Sequence, residues 1–470
     1  MDAAAIKAEL GHPVIDADGH CLEYLPLLRE LLVEEGGEAA GRMLDALQMQ
    51  ADVKDVPRAE RRHRRIERTA WWGFPSENTL DRATSTLPSL FYERLDEFGI
   101  DFAVVYGTYG LFPDRIANED FRRPYTRALN RYYAEVMFDH RDRMEPVAVI
   151  PMRTPEEALA ELDFAVRDMG FKAIVMSGVI VRPIPGAEGI RGATWIDTVG
   201  HDSPYDYDPV WHRCVELGVA PTFHSLGSGW GSRTSSTNFV FNHIGHFATA
   251  QEAACRSIVM GGVAMRFPEL NFCFLEGGVA WAANLCSDLI GHYDKRNIDA
   301  VQTYDPARLD QAMLAKLVRE YGSPRVRDIF DRLGGGLTGA PGDEVGVDEM
   351  DEFAEARITD AEQIADLFSD RFYFGCEADD PMTAVAFDQS LPPTGRELQP
   401  VFASDIGHFD VRDAREVLPE AWELVEHGNV DRAGFRKFAF TNPARLFASQ
   451  NPKFFDGTSV EAAVRSELAL

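Results

Sequence analysis

Two aspartates and a histidine crowd the stretch HPVIDADGH, residues 12–20, directly behind a short apolar run. Alternate residues of a strand share a face, so Asp16, Asp18 and His20 point the same way, and Asp18 and His20 can converge on one point. A carboxylate and an imidazole with a single spacer form a chelating pattern, and Gly19 between them lets the backbone bend. Similar groups end later apolar runs: His224 in APTFHS, Glu276 in LNFCFLE and Asp405 in PVFASD, with Glu23 just beyond the first run. FNHIGHF adds His243 and His246, three apart, which on one helix would lie near a common face. Each residue alone has a plainer use as a structural imidazole, a loop carboxylate or a helix cap. Together they imply a metal, because such groups gathered at one rim are mutually costly unless a cation neutralises them.

A barrel would bring them together. Short β-rich runs at 13–18, 101–106, 146–150, 173–176, 220–225, 270–276, 371–376 and 400–405 alternate with segments of helical periodicity. That pattern predicts an α/β fold, a closed parallel (β/α)8 TIM barrel. Its active site lies at the C-terminal ends of the strands, where the residues above fall. One connecting helix is plainly legible: TPEEALAELDFAVRDMG opens on a Thr cap, carries Glu three residues later and stops at Gly170. Two connections are too long for simple crossovers. They predict one domain over 1–470, with a helical lid inserted at about 24–98 and a helical insertion at about 295–368, before the seventh strand. The first holds RAERRHRRIER, 58–68, followed by Trp71 and Trp72. The second holds LGGGLTGAPGDEVG, 333–346, a flexible connection and not a phosphate loop, because it does not open a helix behind a strand.

The formal charge of −29 repels phosphate backbones and anionic lipid heads, which argues against nucleic acid as the main partner. Six cysteines without C-x-x-C spacing read as reduced, buried thiols of a cytoplasmic protein. Neither a basic leader with a long apolar stretch nor a window of about 18 uninterrupted apolar residues occurs, so neither secretion nor membrane insertion is expected.

The strand-end set, with DADGH first, FHS fifth, LEGG sixth and ASDIGH eighth, resembles the amidohydrolase superfamily, in the amidohydrolase-related branch that also holds non-oxidative decarboxylases. The likeness extends from RALNRYYAEVMF to FTNPARLF. It implies Asp18 and His20 where many members carry H-x-H, His224 as the next ligand, and Asp405 as ligand or base. Three departures stand out. Position 18 is Asp, Glu276 replaces a His typical of decarboxylases, and no lysine ends the fourth run, AIVMSG, since Lys172 precedes it. The resulting set, Asp18, Glu23, Glu276 and Asp405 with His20, His224 and His243 or His246, offers four carboxylates to balance two divalent ions and suits iron or manganese. This variant resembles a subgroup of TIM-barrel non-heme diiron monooxygenases that act largely on CoA-linked substrates. The leading expectation is therefore O2-dependent hydroxylation of a hydrophobic acyl substrate at two Fe ions, with Asp405 and Glu276 catalytic and CoA-linked acyl groups among the candidates. The alternative is a hydrolase or non-oxidative decarboxylase with one Zn or Mn, and a third possibility is a non-enzymatic barrel that binds a ligand. Arg61, Arg64 and Arg65 are candidates to hold carrier phosphates, and Trp71, Trp72, Tyr106 and Trp230 to line the substrate pocket. The two insertions offer surfaces for a homodimer.

Overall fold

All eight apolar runs form strands: β1 (Ile15–Cys21), β2 (Phe102–Gly107), β3 (Met144–Ile150), β4 (Ala173–Met176), β5 (Pro221–Phe223), β6 (Phe272–Phe274), β7 (Phe372–Glu377) and β8 (Gln399–Ala403). They pair in parallel and in chain order in the computed structural model, which describes residues 1–51, 56–68, 77–190, 192–333, 351–390 and 393–469. This is the expected (β/α)8 barrel. Every residue of β1 to β6 is buried, because helices cover the outside and side chains fill the inside. Aromatic rings fill part of that space, with Phe223 stacked on Phe274 at 5.5 Å between centroids. The helix Pro155–Leu162 starts as its sequence predicts, with the Thr154 hydroxyl accepting from the Glu157 N–H at 3.3 Å.

One side chain and two backbone hydrogen bonds close the seam between β1 and β8. No regular ladder joins these strands among the described residues. Asp16 instead accepts from the Ser404 N–H (3.0 Å) and the Ser404 hydroxyl (2.5 Å). The Asp405 N–H donates to the Asp18 carbonyl (3.1 Å), and the His20 N–H to the Ile406 carbonyl (2.7 Å). Gly407 permits that approach: its φ is 110°, and a Cβ there would come within 2.3 Å of the His20 carbonyl oxygen. On the other side of β1, the register with β2 slips between Asp16 and Gly19, a bulge that re-aims Asp18 and His20.

Helices occupy both long connections. Leu25–Ala51, interrupted at Gly37, Arg58–Arg64, Thr79–Thr86 and Pro88–Phe98 lie between β1 and β2. Ala280–Arg296, Gln311–Tyr321, Pro324–Arg332 and Ala361–Asp366 lie between β6 and β7. Trp71, Trp72 and residues 334–346 fall outside the described residues. All six cysteines are free and buried. No helix among the described residues is long and apolar enough to cross a membrane.

Candidate metal centre

Asp18 and His20 leave the end of β1, His224 follows β5 directly, Glu276 stands two residues past β6 and Asp405 two past β8. The fold gathers all five, buried, at the C-terminal mouth. Donor atoms of Asp18, His20 and His224 lie within 4.8 Å of one another, and so do those of His20, Glu276, Asp405 and His408. His20 belongs to both sets. Its Nε2 is 3.3 Å from Asp18 Oδ1 and 3.6 Å from Asp405 Oδ1, and its ring stacks on His408 at 3.8 Å. His408 Nδ1 in turn lies 2.6 Å from Asp405 Oδ1 and 3.4 Å from Glu276 Oε1. Glu276 and Asp405 adopt left-handed φ values of 56° and 52°, a conformation that costs a non-glycine residue about 1–3 kcal/mol and gathers at functional sites. Gln251 braces the first of them by donating to the carbonyls of Phe223 (2.9 Å) and Leu275 (2.8 Å).

The charges there are arranged for a cation. Burial, then Glu276 and Asp405, push the Asp18 carboxyl well above its usual range. Burial does the same to Asp405, and Glu276 adds to it against the pull of His408. Burial, then His408 and His224, hold His20 well below the usual imidazole value. Burial opposes charge on Glu276 and His408 too, but Glu276 is held well below its usual value by His224 and His408, and His408 well above by Asp405 and Glu276. Both carboxylate oxygens of Asp18 and both ring nitrogens of His20 and of His224 lack hydrogen-bond partners among the described residues. His224 Nε2 lies 2.8 Å from Glu276 Oε2, but the pair is not aligned as a hydrogen bond. Each such buried orphan costs about 1–3 kcal/mol unless something satisfies it. A divalent ion would satisfy several at once, and mixed imidazole and carboxylate donors fit zinc or manganese.

Other expected residues stand outside the two donor sets. Glu23 belongs to neither donor set: its carboxylate accepts from the Tyr133 hydroxyl (2.5 Å), the Tyr109 N–H (3.0 Å) and the Gly110 N–H (3.2 Å), so it anchors the turn behind β2. Burial pushes its carboxyl up to about 7 despite these donors. A carboxyl whose pKa rises on folding holds its proton longer folded than unfolded, so its contribution is full at low pH and is lost as pH rises through about 7. Glu23→Gln removes that titration. The margin by which the wild-type melting temperature exceeds the variant's should therefore narrow from about pH 5 to about pH 8 in calorimetry, and a margin that widens would refute this role.

His243 and His246 also stand outside both donor sets. They do not share a helix: His243 ends Phe239–His243, Gly245 turns the chain at φ 67°, and His246 begins His246–Met260. Their rings lie 4.9 Å apart on the wall of a cavity of about 950 Å³. That cavity is mainly apolar, with Leu111, Phe112, Phe121 and Phe247 on its wall and Thr108 and His408 leading to the metal centre. Tyr106 does not line it; buried, it donates to Thr222 Oγ1 (3.1 Å) behind the rings of His20 and His224. Trp230 is half-buried against the core and does not line it either. Of the arginines, Arg61 is buried, Arg64 pairs with Glu60 at 2.8 Å one turn back, and Arg65 is exposed; none reaches the cavity. Lys172 precedes β4 and donates to the Phe454 carbonyl at 2.7 Å. His408 had not been anticipated, although ASDIGH repeats the three-residue spacing from an acid that would have marked it.

The profile of the amidohydrolase family matches residues 88–321. Among solved structures, the fold is similar to a dihydroxybenzoic acid decarboxylase from Polaromonas sp. JS666 with bound manganese and 2-nitroresorcinol. That match has 14% identity and TM-score 0.51, covering 95% of this chain and 99% of that one. An amidohydrolase from Mycobacterium avium subsp. paratuberculosis K-10 aligns at 16% identity and TM-score 0.52, over 93% and 100%. A 2,6-dihydroxybenzoate decarboxylase from Rhizobium aligns at 14% and 0.51, over 93% and 98%.

Proposed function

We propose that this chain, which the amidohydrolase family matches over residues 88–321, is a metal-dependent enzyme that hydrolyses or non-oxidatively decarboxylates a small hydrophobic organic substrate with one divalent ion, manganese or zinc. The compact set of buried donors carries this reading: Asp18, His20 and His224 bring a carboxylate and two imidazoles within 4.8 Å of one another, and the side-chain donor atoms of Asp18 and His20 have no hydrogen-bond partners among the described residues. Three protein donors of this kind suit one zinc or manganese ion. The bound manganese of the Polaromonas decarboxylase, similar in fold, supports the same choice.

Asp18, His20 and His224 would hold the ion, with Asp405 beside them. When bound, it supplies Lewis-acid polarisation of a carbonyl or carboxylate and makes water more acidic. Asp405 is the proton carrier: it is buried and its carboxyl is pushed upward, chiefly by burial, so it can accept and return a proton. His408 orients it from 2.6 Å and is itself steadied by Thr108 Oγ1 at 3.1 Å from Nε2. The apolar wall favours a hydrophobic substrate body and limits water. Since Arg61, Arg64 and Arg65 stand away from the cavity, a CoA carrier is not part of this proposal.

O2-dependent hydroxylation at two iron ions is the second reading, favoured by one observation, the overlapping donor set His20, Glu276, Asp405 and His408. Reconstitution with manganese, zinc or, under anaerobic conditions, Fe(II) separates the two. One equivalent per chain, with carbon dioxide release or hydrolysis in the absence of oxygen, is the expected result. Two irons per chain with dioxygen consumed on turnover would replace the first reading by the second. Glu276→Gln should still bind one ion, with affinity changed less than about tenfold. Complete loss of metal would place Glu276 among the ligands of that ion.

A further inference from the structure

Arg115 is a charge that the metal chemistry leaves unused. It ends the short turn Pro113–Arg115 behind β2 and lines the cavity. Its guanidinium donates to Ser228 Oγ (2.7 Å), and it forms no ion pair with a carboxylate among the described residues. Glu67, on the same wall, attracts it without pairing, and burial pushes the Glu67 carboxyl upward, away from the charged form. A guanidinium cannot escape by deprotonating, so it remains a cation at the exposed rim of a mainly apolar cavity in a protein of net charge −29. The same wall carries a second open contact. His246 Nδ1 is buried and has no hydrogen-bond partner among the described residues. Burial, then His243, and also Arg115 bring this imidazole down to about 3, so it is neutral and able to donate or accept one hydrogen bond. Arg115 and His246 both line the cavity and neither belongs to a donor set of the metal centre.

We propose that Arg115, assisted by His246, holds a carboxylate of the substrate that does not react, so that the substrate class is an apolar body with an anionic group remote from the group presented to the metal centre. A planar fork on a carboxylate gives two parallel charge-assisted hydrogen bonds and fixes orientation as well as affinity. Leu111, Phe112, Phe121 and Phe247 would enclose the apolar body between the two ends. This substrate assignment rests on the metal-dependent reading above.

Octanoate and 1-octanol, titrated calorimetrically into the manganese-loaded protein, test it. Octanoate should bind about 10- to 100-fold more tightly than the alcohol, the worth of a charge-assisted contact. Arg115→Met should erase that preference while octanol affinity stays within about twofold. Arg115→Lys, which keeps the charge without the fork, should retain part of it. Octanoate can also sit on a metal, so the titrations are repeated on chelator-treated protein. An acid preference that persists in Arg115→Met, or one that vanishes from the wild type on removing manganese, overturns the proposal. Failure of the wild type to bind manganese would instead overturn the metal-dependent reading, because the acid preference and its loss in Arg115→Met are measured equally without metal.

Discussion

His20→Ala is expected to abolish metal binding. His20 is the one residue common to the two donor sets, and its ring lies between Asp18, Asp405 and His408. Neither of its nitrogens has a hydrogen-bond partner among the described residues, so no other structural task would survive the loss of the ion. Changes to residues that merely support a ligand typically weaken metal binding about 10- to 100-fold, and removal of a shared ligand should exceed about 100-fold. Equilibrium dialysis with manganese, read by elemental analysis, measures this directly. Folding is checked on the metal-free proteins, where His20→Ala relieves a buried imidazole that burial, His408 and His224 keep from charging. A variant that binds manganese as the wild type does would refute the donor assignment. A variant that binds none, yet folds as the metal-free wild type does, would establish it.

Asp16→Ala should give the largest loss of stability, about 2–4 kcal/mol, by opening the seam between β1 and β8. Asp16 accepts from the Ser404 N–H, the Ser404 hydroxyl and the Asp18 N–H (3.1 Å), and alanine would strand all three donors in the interior. Part of the loss is offset, since burial pushes the Asp16 carboxyl up to about 6 and its ionised form is itself disfavoured there. Asp16→Asn keeps the shape and one acceptor oxygen, and should recover roughly half of the difference. Urea unfolding with metal chelated separates this effect from ligand binding, because Asp16 stands next to the chelating pair without belonging to it. A change below about 1 kcal/mol would mean that the backbone bonds of Asp18, His20, Asp405 and Ile406 hold the seam without it.

The two residues differ in how far the sequence disclosed them. Alternation in DADGH placed Asp16, Asp18 and His20 on one face, and the barrel uses Asp18 and His20 as the donors of that strand. Nothing in the spacing showed that Asp16 would meet Ser404, 388 positions away, because that contact exists only once the barrel closes. Glu23 looked equivalent to Asp18 as an acid behind the same strand. It turns away because Gly107 leaves room for the Tyr133 hydroxyl: a Cβ at 107 would lie 1.9 Å from that oxygen and 2.6 Å from Glu23 Oε1. With Glu23 turned to Tyr133, three of the four acids counted toward two irons remain near the clustered donors. His243 and His246 are legible as a pair, and the break at Gly245 places them on the cavity wall, outside both donor sets.

By itself, the sequence determined the eight strands, their parallel order and the strand-end positions of Asp18, His20, His224, Glu276 and Asp405. Burial on both faces writes continuous apolar runs, and a parallel barrel has one chemically useful rim. Only the tertiary structure decided which donor atoms lie together, that His408 stands among them, that Glu23 turns to Tyr133, that Asp16 meets Ser404, and that Arg115 lines the cavity without an ion pair among the described residues. Those outcomes depend on contacts between residues far apart in the chain and on left-handed turns at Glu276, Asp405 and Gly407 that aim each side chain. Local periodicity carries no record of either.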